Sequence, residues 1–250
     1  MKLNLDTKIA QIENILDTVK EYKENTLIWE AFTKDMQIRL SWNSNAIEGN
    51  TLSLEETMNV IKYDEVRSGH TYTEYHEAKH LYNAIVRQMD FDKLKQIDMT
   101  WIKACNAMIM DTQGEFRQTP VFVGTLAEVT YYPPEYTKIP KLMDAYIAQV
   151  NFDRVESKAD IGTSLQMIAK RHIEFERIHP YQDGNGRTGR MIMNQQLLNA
   201  GLLPAIIQDH SKYRQAFRRY DRNGSVELMQ YEIAVGILKS YEILMKFVEQ

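Results

Sequence analysis

A chain of 250 residues with 44% hydrophobic side chains is long enough to bury a substantial core, and its formal charge of −4 gives no global attraction to nucleic acid or anionic membrane. The one cysteine, Cys105, rules out an internal disulfide framework and suits a reducing compartment, so a cytoplasmic location is expected. The N-terminal run Met-Lys-Leu-Asn-Leu-Asp-Thr-Lys has no apolar signal core, and no uncharged apolar stretch is long enough to cross a bilayer, so no membrane contact is expected.

With only 11 Gly and 6 Pro, the chain predicts long helices and few turns. Apolar residues at helical spacing (Ile9, Ile12, Ile15, Leu16, Val19, then Ile28, Phe32, Met36, Leu40) predict helices over 7–23 and 27–48, with Asp6 and Asn25 as N-caps. Ser53 with Glu56 three positions on reads as a capping box. Further helical patterns run over 73–89, 97–110, 139–151 and 158–178. Cys105 and His172 fall on such patterns and are expected to be packed in the core. Residues 118–135 break the rhythm: Pro120-Val-Phe-Val-Gly124 and Val129-Thr-Tyr-Tyr-Pro-Pro134 are two β-prone runs that predict a hairpin. Helices then follow over 186–200, closed by Gly201, and over 211–222 and 226–248. The expected fold class is all-α, a mainly helical bundle with one small β-hairpin. It divides into an N-terminal helical element (1–65), a core (66–225) and a C-terminal helix packed on that core (226–250).

Residues 179–190 read His-Pro-Tyr-Gln-Asp-Gly-Asn-Gly-Arg-Thr-Gly-Arg. Gly184 and Gly186, around Asn185, let backbone N–H groups approach phosphate oxygens, and a helix starting there adds its positive end. Asp183 offers the hard oxygen that a phosphate-bound magnesium prefers. Arg187 and Arg190 bring fork-shaped donors for phosphate. His179 is the member that can hold or release a proton near neutral pH.

This string resembles the signature of the Fic family, HPFx[D/E]GNGRxxR, departing only at Tyr181, where Phe is usual. The resemblance implies a magnesium-dependent protein adenylyltransferase. Its histidine, here His179, would deprotonate a target hydroxyl, which attacks the α-phosphate of ATP. Gly184, Asn185, Gly186, Arg187 and Arg190 would then bind the nucleotide, and Asp183 the Mg2+. Gly114-Glu-Phe-Arg117 followed by the hairpin resembles the family's flap, so Val123, Gly124, Thr125 and Leu126 are expected over the nucleotide. The flap's edge would pair with the backbone of a target presenting a Ser, Thr or Tyr hydroxyl. Tyr213 and Asn223 match loosely the residues placed near adenine and ribose, with Asp221 competing for the second position. Ser44-Asn-Ala-Ile-Glu48-Gly49 is an ordinary helix end that also resembles the family's inhibitory motif [S/T]xxxE[G/N]. In the intramolecularly inhibited class the glutamate holds the signature's second arginine, which corresponds to Arg190. Autoinhibition through Ser44, Glu48 and Gly49, and self-modification once it is lifted, are therefore implied.

Other readings compete. Gly184-Asn-Gly-Arg-Thr-Gly189 is literally G-x-G-x-x-G, with Asp209 twenty residues further on, but a helical pattern leads into it where a dinucleotide fold needs a strand. His76-Glu77-Ala-Lys-His80 is literally H-E-x-x-H, which would suit a zinc-dependent hydrolase; no third ligand is announced. Removal of AMP from modified targets (deAMPylation) by the same site, and a non-catalytic ATP-sensing module, remain alternatives. No specific nucleic-acid binding is expected, and a homo-oligomer is left open.

Overall fold

The computed structural model describes residues 4–66, 68–124, 129–156 and 160–249. Among them, α1 (Leu5–Glu24) begins after Asn4 and not after Asp6. Asp6 sits inside the first turn, where a carboxylate suits the positive helix end, and Asn4 accepts a hydrogen bond from the Thr7 hydroxyl. Asn25 does cap α2 (Thr26–Ile47), accepting from Ile28 N–H. Ser53 and Glu56 form the expected capping box of α3 (Leu54–Tyr63), and Thr71 with Glu74 forms a second one at α4 (Tyr72–Gln88).

After α5 (Met99–Met110) come the two short strands of an antiparallel hairpin, β1 (Val123–Gly124) and β2 (Val129–Tyr131). Val123 pairs with Tyr131 and Gly124 with Val129, with a bulge between the two pairs. Thr125 and Leu126 lie outside the described residues. Helices α6 (Ile139–Glu156), α7 (Ile161–Ile178), α8 (Asn185–Asn199), α9 (His210–Asn223) and α10 (Glu227–Val248) complete the chain. The architecture is all-α with one small hairpin.

The core explains the all-round burial of α8. That helix packs against α7, α5 and α2, and residues from Asn185 to Leu197 are withdrawn from solvent on nearly every face. Helix α10 packs on α1, α2, α7 and α9. One continuous apolar cluster runs from Ile12 through Phe32, Ile102, Phe175 and Met193 to Leu244, so all three predicted segments feed a single core. A smaller cluster of Leu52, Val60, Tyr75 and Ala78 seals α3 onto α4. Cys105 and His172 are both buried, as read from the pattern; burial pushes the Cys105 thiol far up and the His172 imidazole down to about 3. No helix among the described residues is long and apolar enough to cross a membrane.

Candidate active site

The signature is the turn between α7 and α8. His179 closes α7 in the left-handed region (φ 49°), its N–H donating to Phe175 O at 3.0 Å, and Pro180 prevents the helix from continuing. That backbone turn lifts the imidazole off the helix and into the site. Its Nδ1 lies 3.3 Å from Glu176 O. A proton on Nδ1 donated to that carbonyl leaves the Nε2 lone pair free to act as a base. Burial lowers the proton affinity of His179, with the Glu176 carbonyl opposing and Arg117 assisting, so the ring is neutral near pH 7.

Below the turn, Tyr181 is a buried plug packed against Phe116. Asn185 closes the loop over it: Tyr181 N–H donates to Asn185 Oδ1, and Asn185 Nδ2 donates to Tyr181 O, both at 2.9 Å. The Asn185 side chain thus shapes the loop and is not aimed at a ligand. Gly184 caps α8 with φ 77°, and a Cβ there would meet the Met110 side chain at 2.7 Å. The first-turn N–H groups of Asn185, Gly186 and Arg187 find no acceptor among the described residues, so the helix end presents an open anion cradle. Asp183 stands at its rim, its side chain 72% exposed, with Oδ1 accepting from Gly184 N–H and Oδ2 without a partner among the described residues. A free, solvent-facing carboxylate oxygen beside an anion cradle fits a magnesium ion held between protein and phosphate.

The two signature arginines are both buried and both engaged. Arg190 donates through Nε to Ser44 Oγ (2.8 Å) and through one terminal nitrogen to Ser44 O (2.9 Å) and Glu48 Oε1 (2.6 Å). Its other terminal nitrogen reaches the Tyr213 hydroxyl at 3.3 Å. Glu48 is the C-cap of α2, and Gly49 turns the chain at φ 101°. Burial raises the Glu48 pKa, but Arg190 and, behind it, Arg187 outweigh that, so the carboxylate is held below its ordinary range. A Cβ on Gly186 would fall 2.2 Å from Glu48 Oε1, so the carboxylate lies directly against the first turn of α8. Arg187 pairs with Glu77 at 3.0 Å and lies 3.8 Å from Asp183.

A cavity of about 330 Å³ collects Glu48, His179, Gly186, Arg190 and Tyr213 under Val123 and Gly124 of the hairpin. Asn223 does not line it. On α9 the residues facing the cavity are Tyr213, Phe217 and Asp221, at intervals of four, and Asn223 is turned away, bonding its side chain to Ser225 N–H. Asp221 lines the cavity, doubly bonded to Arg177 at 2.7 and 2.6 Å. Arg214 and Arg218 also line the cavity and bring two cations to it. A larger hollow of about 680 Å³, lined in part by Leu94, Lys95, Asp153 and Ile168, contains none of the predicted site residues.

Three residues support the site in ways the sequence does not announce, Arg117 among them although it belongs to the flap pattern. Arg117 N–H and Nε donate to Pro180 O and His179 O, and its terminal nitrogens to Thr119 O and Pro134 O, tying the hairpin base to the signature. Asn106 donates to Asp183 O and Thr188 Oγ1; a lone amide inside the apolar run Ala104-Cys105-Asn106-Ala107 was its only signal. Glu176 is buried, its Oε1 without a partner among the described residues, and burial pushes it up to about 7. As for the H-E-x-x-H string, His76 and His80 lie edge to face at 5.3 Å, and Glu77 is bonded to Asn50 and Arg187. No group of three or more metal-binding side chains occurs among the described residues.

Residues 96–197 match the Fic/DOC family. The chain is 27% identical over 219 residues to a protein named protein adenylyltransferase Fic from Aedes aegypti, covering 84% of this chain and 42% of that one. A protein of the same name from Culex quinquefasciatus is 29% identical over 188 residues, covering 72% and 36%. This chain thus spans less than half the length of these two curated relatives. Among solved structures, a Fic-domain-containing signaling protein from Bacteroides thetaiotaomicron superposes with a TM-score of 0.82 at 21% identity over 97% of both chains. A Fic family protein from Desulfovibrio desulfuricans superposes with a TM-score of 0.74 at 24% identity, over 97% of this chain and 75% of that one.

Proposed function

We propose, from the premise that this chain carries a Fic/DOC-family domain, that it transfers AMP from ATP to hydroxyl side chains of target proteins and is restrained by its own Glu48. The observation that carries this reading is the juxtaposition of a neutral, oriented His179 with the open N–H cradle of α8. Nε2 of His179 takes the proton of a serine, threonine or tyrosine hydroxyl. The hydroxyl oxygen forms its new bond to the α-phosphorus, and the bond from that phosphorus to the bridging oxygen breaks. The electron pair leaves with pyrophosphate, and the proton remains on His179. The cradle N–H groups bind and orient the phosphates; charge-assisted bonds of this kind act chiefly by holding the reacting atoms in line. Asp183 is the residue that would hold Mg2+, which when bound neutralises phosphate charge. The hairpin covers the site, and its β1 edge offers main-chain groups to register an extended target segment.

Glu48 is the brake in this account. Its carboxylate lies where the cradle opens and holds a terminal nitrogen of Arg190, so the arginine has no free fork for the γ-phosphate. Ser44 and Tyr213 hold the remaining Arg190 nitrogens, which explains why the serine belongs to the same helical face as the glutamate. With the brake lifted, the protein's own hydroxyls are targets at high local concentration. Incubation of the Glu48→Gly protein with ATP labelled at the α-phosphate tests the activity. Covalent label on protein, lost in the additional His179→Ala variant, is expected; reversible nucleotide binding without covalent label would contradict it.

A further inference from the structure

The glutamate of the H-E-x-x-H string, which none of the chemistry above uses, is built into the phosphate site from behind. Glu77 lies on α4, and its two carboxylate oxygens face two different donors. Oε1 accepts from a terminal nitrogen of Arg187 at 3.0 Å, and Oε2 accepts from Asn50 Nδ2 at 3.0 Å. Asn50 follows directly on Glu48-Gly49, and its amide also donates to Glu74 O at 3.0 Å. Arg187 is only 5% exposed at its side chain, and Glu77 is its one carboxylate at hydrogen-bond distance among the described residues. The Arg187 Nε is buried without a partner among the described residues, while its second terminal nitrogen donates to Met110 Sδ at 3.3 Å and lies 3.8 Å from Asp183. A buried guanidinium with one terminal nitrogen fixed by a carboxylate, the other held only by a weak thioether acceptor, and Nε unpaired is an oriented group with donors left for a stronger acceptor.

We propose that Glu77 is a positioning residue: it fixes Arg187 toward the phosphate cradle and ties that orientation to the turn that ends the inhibitory helix. The inference rests on the nucleotide reading of the cradle. Glutamate is required because only a carboxylate presents acceptors to both donors; glutamine has one acceptor oxygen and would set its own N–H groups against Arg187 or Asn50. The negative charge of Glu77 by itself repels phosphate, so positioning and charge predict opposite signs.

The test measures MgATP binding by calorimetry in the Glu48→Gly background, for Glu77→Gln, Arg187→Ala, the two together, and Asn50→Ala. Glu77→Gln is near-isosteric, and thermal melts verify that it folds. It is expected to weaken MgATP about tenfold, and to add nothing once Arg187 is gone, as two residues acting through one contact should. Asn50→Ala, which removes the other partner of Glu77, should weaken binding in the same direction by a smaller factor. Unchanged or tighter binding by Glu77→Gln, or an equal loss with and without Arg187, would overturn the proposal. AMP transfer by the Glu48→Gly parent is read separately. A parent that binds MgATP but transfers nothing counts against the transferase and not against Glu77.

Discussion

At the scale of single residues, the site depends on one backbone turn. His179 adopts a conformation that a side chain rarely takes, and in return its ring faces the cavity with Nδ1 toward a carbonyl. His179→Ala should therefore abolish transfer, by ~10²–10⁴ in rate, and leave MgATP affinity nearly unchanged, since the ring serves the hydroxyl and not the phosphates. Calorimetry beside a rate assay separates the two. The pH profile has a definite sign. A base must be unprotonated, and burial lowers the His179 pKa, so transfer by the Glu48→Gly protein should be flat near neutrality and fall in acid, with a midpoint below the ordinary imidazole value of about 6.5. A midpoint above that value would contradict the burial argument. Asp183→Ala should lose activity and magnesium dependence together in a titration of MgATP. An unchanged magnesium requirement would point to another ligand.

At the scale of elements, the hairpin is attached to the catalytic turn through Arg117. Its guanidinium spans His179 O, Thr119 O and Pro134 O, so it binds both legs of the hairpin and the signature at once. Removing it strands three carbonyls; Arg117→Ala should cost roughly 2–4 kcal/mol of stability, read as a fall in midpoint temperature. Arg117→Lys should not restore it, because an ammonium lacks the fork geometry. The elements themselves were largely legible in sequence, since amphipathic spacing and caps such as Ser53 act within a few residues. The misread cap of α1 has a local cause. Asp6 and Asn4 are both good N-terminal residues, and Asn4 accepts the Thr7 hydroxyl and sits just ahead of the first turn. Asn223 and Asp221 differ by two positions, which on a helix is about 200°, so Asp221 lines the cavity and Asn223 does not. No spacing rule could expose the contacts of Arg117, Asn106 or Glu77, since each pairs across a long stretch of chain with partners that only the packed helices bring near.

At the scale of the whole molecule, residues 142 positions apart meet in one ion pair, Glu48 with Arg190. The twelve-residue signature announced its chemistry because its parts are contiguous. The proposed brake was visible only as a resemblance at the end of α2. Packing of α2 on α8 and on α10 brings that helix end to the cradle, so this segment is part of the common core. If Glu48 is the brake proposed above, deleting its charged side chain should raise activity. The most direct test of this account is mass spectrometry of AMP incorporation by wild type, Glu48→Gly, and Glu48→Gly with Arg190→Ala, over a range of MgATP. Glu48→Gly should incorporate about tenfold more AMP or better, the scale of one charge-assisted contact of ~1.5–3 kcal/mol, and the gain should vanish without Arg190. Glu48→Gly no more active than wild type at any MgATP concentration would contradict the brake and return Ser44–Gly49 to an ordinary helix end.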